Sequence, residues 1–174
     1  MGFLVRILVV FLVACSWPTG AVWAPAPLDV RWDETPISVY AEPEVSDWAL
    51  SQAMGQWNEV CFLFVRVSEP RFADVKITRG TADLTMTEQG IEVGTYGEAW
   101  KSALGNIRIV VYSITPGGEY VAILQGLGKA LGLAPDDYSR SAMARRVQWR
   151  EPLPHLEVAP EDRRALRQRY CQAP

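Results

Sequence analysis

Between Asn106 and Gly132 the chain passes from a strand pattern, NIRIVVY, into a helical stretch. Only a Pro116-Gly117-Gly118 turn is expected between them. Asn106–Tyr112 is the clearest strand pattern in the chain. The helix is expected over about Glu119–Leu133, stopping before Pro135, and carries Leu124, Leu127 and Leu131 on one arc. A strand joined so closely to a helix has to bury its apolar face against a second layer. With 49% apolar residues in 174, the chain has material for one core and one domain.

The flanking segments repeat this mixture. Asp29–Tyr40 has strand character, ending in Ile37-Ser38-Val39-Tyr40. Ser46 is placed to N-cap a helix running to about Val60, with Leu50, Ala53, Met54, Trp57 and Cys61 on one core stripe. Phe62–Val67 and Ala73–Thr78 alternate as strands. Asp83–Gln89 reads as a loop. Ile91–Trp100, with Gly94 and Gly97, reads as either an edge strand or a loop. Residues 134–157 look irregular, and a last helix is expected from Pro160, a residue favoured at the first helical position, to Tyr170. The order implies an α+β domain with one mixed sheet of four to five strands and about three helices.

The amino-terminal segment reads as an export signal. Arg6 is the only charge before Asp29, and Ile7–Ala14 is an unbroken apolar run. That run is far short of the ~20 residues a membrane-spanning helix needs. Cleavage is expected after Ala21, with Ala24 a second option disfavoured by Pro25. Leu12-Val13-Ala14-Cys15 also has the form of a lipobox, which would make Cys15 a lipidated first residue. The expected division is a signal over 1–21, a spacer over 22–27 and a domain over 28–174, in a periplasmic or secreted protein or a lipoprotein. Export leaves Cys61 and Cys171 as an even pair in an oxidising compartment, which implies a disulfide. The other reading of these cysteines is a nucleophile working with His155.

Composition removes several functions. The chain has 20 acidic and 17 basic residues, and losing Arg6 takes its net charge from −3 to −4. Nothing in that balance favours nucleic acid. His155 is the only histidine, so no site needing two imidazoles can form. The glycines of Gly126-Leu127-Gly128-Lys129-Ala130-Leu131-Gly132 fit neither phosphate-binding pattern. The dinucleotide fingerprint wants its third Gly three residues after the second, and the phosphate loop wants Gly where Ile123 stands. There is no G-x-S-x-G nucleophile elbow.

The stretch Gln125–Pro135 (QGLGKALGLAP), followed eight residues later by Met143, resembles the active-site helix and Met-turn of matrixins, a branch of the metzincin zinc proteases. That family carries H-E-x-x-H-x-x-G-x-x-H on a helix that breaks at the Gly. Here L-G-x-A-L-G-L is intact, with Gly132 at the turn. Ala53–Val67 and Ala73–Ile77 are similar to the family's first helix and next two strands. Val158-Ala159-Pro160-Glu161-Asp162 with Leu166 and Tyr170 is similar to its closing helix. The resemblance therefore implies a zincin-like fold, with Met143 at the Met-turn and Asp162 close to that turn.

The departures decide what the resemblance implies for function. Gln125, Lys129 and Pro135 stand at the three ligand positions and Gly126 at the general-base position. A catalytic zinc needs three His, Cys or carboxylate ligands and a water activated by a base. The expectation is a pseudoprotease without cofactor, with a binding or structural role toward an unknown protein or peptide. Its membrane contact would run only through a lipid anchor. One alternative is an active hydrolase with an atypical metal site, built for instance from His155, Asp136 and Asp137. Another is a lipid-anchored interaction module.

Overall fold

The computed structural model describes residues 28, 30–81, 97–102, 105–113, 115–138, 140–144 and 156–171. The expected signal, the lipobox Cys15, the Asp83–Gln89 loop and His155 lie outside them. The elements are β1 (Ile37–Ala41), α1 (Asp47–Asn58), β2 (Phe64–Arg66), β3 (Val75–Arg79), β4 (Gly97–Lys101), β5 (Ile107–Val111), α2 (Pro116–Ala130) and α3 (Pro160–Tyr170), with a one-turn 3₁₀ helix at Pro70–Phe72. The five strands form one sheet in the order β2-β1-β3-β5-β4. All neighbours are parallel except β4, which runs antiparallel to β5 at the edge. The fold is α+β, with one mixed sheet and three helices.

Each element forms for a local reason. Ser46 caps α1 by accepting from the Ala49 N–H. The α1 stripe buries Leu50, Ala53, Met54 and Trp57. In β5, Ile107, Ile109 and Val111 are buried while Arg108 is exposed. Their face meets α2, and α1 packs beside α2. The two helices are joined by Trp57, whose indole Nε1 donates to the Leu124 carbonyl at 2.9 Å.

Four expectations need correction. The strand character expected over Asp29–Tyr40 is confined to Ile37–Ala41, and residues 33–36 bend ahead of it. Pro116-Gly117-Gly118 is not a turn but the first turn of α2. Thr115 is its N-cap, accepting from the Gly118 N–H at 3.2 Å, and Pro116 takes the first helical position. A side chain at Gly118 would run into Ser113 Oγ, so glycine here permits close approach. At its other end α2 stops before Leu133. Gly132 adopts φ +81°, its N–H bonds Lys129 O and the Leu133 N–H bonds Gly128 O, a Schellman ending. The strand expected over Phe62–Val67 is only Phe64–Arg66. The Asn58 side chain accepts from both the Leu63 and Phe64 N–H groups, which breaks the alternation and leaves Phe62 exposed.

α3 is tied down at its carboxyl end. Arg169 donates to Val30 O at 2.7 Å, and Tyr170 OH reaches Leu131 O at 3.4 Å. Cys61 and Cys171 stand 5.9 Å apart between Cα atoms, 110 residues apart in sequence, in disulfide geometry. Closing a loop of this length is worth ~4–5 kcal/mol in the chain-entropy picture. Cys61→Ser or Cys171→Ser is therefore expected to lower stability by ~2–5 kcal/mol in denaturant titrations. Two free thiols in the unfolded, unreduced wild type would contradict the bridge.

Candidate functional site

α2 is buried nearly all round. Between Val121 and Leu131, every position is buried except Gln125 and Lys129. These two are one helical turn apart and share a face. They are also two of the positions that the resemblance assigns to metal ligands.

The surroundings of this face come from three other elements. Met143 is buried beneath α2, and a side chain at Gly128 would collide with its sulfur and with the Trp57 ring. The turn carrying Met143 is pinned from several sides. The Asp136 N–H donates to Met143 O at 2.9 Å, the Met143 N–H to Ser141 Oγ at 2.9 Å, and the Ala142 N–H to Glu157 O at 2.7 Å. Gln125 reaches over it, with Nε2 donating to Ala144 O at 2.8 Å. On the β4 side stands Glu98. Burial lowers the Lys129 pKa, and the Glu98 carboxylate opposes that shift. Glu98 itself accepts from Tyr112 OH at 3.3 Å.

The two helix glycines, each costing ~1 kcal/mol against Ala in a helix interior, are explained by close packing. A Cβ at Gly126 would lie 2.8 Å from Ile109 Cγ2 and 2.9 Å from its Cδ1. The general-base position of the resemblance thus faces β5, with no room for a carboxylate. Gln125 is committed to a backbone carbonyl, Lys129 brings an ammonium, and Pro135 has no side-chain donor. This set does not fit a zinc ion. Among the described residues no three His, Cys, Asp or Glu side chains are grouped to hold a metal. Asp136, offered by sequence for an atypical site, accepts from the Tyr138 N–H at 2.9 Å.

Asp162 lies in the first turn of α3, where the helix dipole favours a negative charge. Other forces dominate. Burial, then Asp136 and Glu161, push its pKa from 3.8 up to about 6. Asp136, one of the charges acting on it, donates its N–H to Met143 O in the turn that carries Met143. Because the folded pKa exceeds the unfolded one, the native state binds the extra proton. Stability is therefore highest below pH 3.8 for this group and falls as pH rises through about 6. The carboxyl is half exposed, so the effect is reduced to about 1 kcal/mol. Asp162→Asn is expected to raise the melting temperature at pH 7 and to leave it nearly unchanged near pH 4. An equal change at both values would count against it.

Sequence reasoning missed Glu98, because Ile91–Trp100 carries no clean alternation. It also missed the Arg79–Glu119 ion pair, in which Glu119 is buried and accepts from the Ser46 N–H at 2.9 Å. Only an acid inside an apolar helix hinted at it. The chain's sequence matches no protein-family model and no curated protein.

Proposed function

We propose that the chain is an exported, matrixin-like pseudoprotease whose α2 face binds or braces rather than cuts. The observation that carries this reading is that face itself. Gln125 and Lys129 are the two positions of central α2 that reach solvent, set above Met143 and ahead of the Gly132 turn. The second N–H of the Gln125 amide, whose first is held by Ala144 O, and the Lys129 ammonium offer a hydrogen-bond donor and a positive charge, which suit the carbonyl or carboxylate groups of a peptide. They offer no means of activating water. The β5 side of the helix is closed by Ile109, so no carboxylate from position 126 can take over that task.

Metal content of the purified protein tests the reading. Elemental analysis should find zinc far below one ion per chain, a chelator should leave the melting temperature unchanged, and a general protease assay should show no turnover. Near one zinc per chain, or peptide cleavage lost on chelation, would overturn it.

A further inference from the structure

The exposed side of α3 contrasts with the rest of the molecule. The chain is acidic overall, at net charge −3. Yet after its first turn α3 carries Arg163, Arg164, Arg167 and Arg169 and no acid. Arg169 is used internally, on Val30 O. The other three line an open groove of about 510 Å³ with Gln168, and Glu157 is the one carboxylate on its rim. None of the ion pairs among the described residues engages these three arginines.

The helix is a firm platform. The Cys61–Cys171 pair, the Arg169–Val30 bond and Tyr170 fix its carboxyl end, and Leu166 is buried beneath it. The same Arg169–Val30 bond sets where the amino-terminal segment joins the domain. Val30 lies against the end of α3, within one helix length, about 16 Å, of the groove. The apolar run Ile7–Ala14 and Cys15 precede that point. Twelve residues lie between Cys15 and Leu28, a tether of at most about 45 Å. Whatever this run attaches to, the tether and the length of α3 together keep the groove within about 60 Å of it. Among the described residues no helix is long and apolar enough to cross a membrane.

We infer that the Arg163–Arg164–Arg167 face of α3 is a docking surface for an anionic phospholipid membrane. Guanidinium groups match phosphate geometry with paired donors, and a basic patch supplements a single weak anchor in holding a protein at a bilayer. The role is separate from that of the α2 face, and each can fail without the other.

The test is partitioning of the exported protein, made from the full-length gene, onto vesicles. One set is phosphatidylcholine alone, and the other is phosphatidylcholine with one third phosphatidylglycerol. Each arginine near an anionic leaflet contributes roughly fivefold, so at least about a tenfold preference for the anionic vesicles is expected, shrinking as salt is raised. Any lipid on Cys15 raises both values and leaves the ratio. Arg163→Gln/Arg164→Gln/Arg167→Gln should abolish the preference with an unchanged melting temperature. Arg66→Gln/Arg71→Gln/Arg108→Gln, equal in charge, should retain it. Equal partitioning to both vesicle types, or equal losses in the two triple variants, would overturn the proposal. So would arginine-dependent binding to polyglutamate without vesicle binding, which would assign the face to an acidic protein instead.

Discussion

Gly126→Glu, which places a carboxylate at the general-base position of the matrixin resemblance, is expected to unfold the protein. The Cβ alone would sit 2.8 Å from Ile109 Cγ2, 2.9 Å from Cδ1 and 3.1 Å from Cγ1. Ile109 is fully buried in the middle of β5, between β3 and β4, and has no space to retreat into. Overpacking of this kind costs ~1–3 kcal/mol. The glutamate then adds a carboxylate with no partner at a buried position, costing several kcal/mol more or forcing it to protonate. The combined loss, ~5 kcal/mol or more, is comparable to the whole stability of an ordinary domain. Gln125→His and Lys129→His, on the half-exposed face, should each cost under about 1 kcal/mol. Denaturant midpoints separate the cases. A Gly126→Glu protein that melts with the wild type would mean that α2 sits farther from the sheet than described. The physical point is that glycine at position 126 lets the helix settle onto β5.

What could be read in advance follows from how local the cause is. Ser46, Pro160 and the strand pattern of Asn106–Tyr112 act within a few residues, and α1, α3 and β5 stand where these place them. Pro116-Gly117-Gly118 misled because the same residues suit a turn and a capped helix start. The choice was made by Thr115 below and Ser113 alongside. β4 was legible only as an alternative, since its order comes from pairing with β5 along five residues and not from its own pattern. The site divides in the same way. Gln125, Lys129 and Met143 could be named because helical spacing and the resemblance fix their positions. Glu98 comes from an edge strand that sequence could not place, and its effect on Lys129 is purely a matter of approach in space. The packing demands on Gly126 and Gly128 were foreseeable as a need for support, but their neighbours Ile109, Met143 and Trp57 come from three separate elements.

Arg79→Met is expected to cost ~3–5 kcal/mol, far more than losing a surface ion pair, because of what it leaves behind. Arg79 at the end of β3 pairs with Glu119 in the first turn of α2, whose side chain is 3% exposed against 33% for Arg79. The other Glu119 oxygen accepts from the Ser46 N–H, the cap of α1. One carboxylate thus joins a strand end and two helix starts. Without the guanidinium it remains buried, charged and short of a partner. Glu119→Gln removes that charge while keeping an oxygen for Ser46, and Arg79, one third exposed, can turn to solvent. It should cost less than Arg79→Met. The decisive comparison is the double variant Arg79→Met/Glu119→Gln. If the buried charge is the source of the loss, the double variant is more stable than Arg79→Met alone, a coupling read directly from a double-mutant cycle in urea. If the two losses simply add, Glu119 and Arg79 act on stability through separate contacts, and the junction of β3, α1 and α2 does not depend on their pairing.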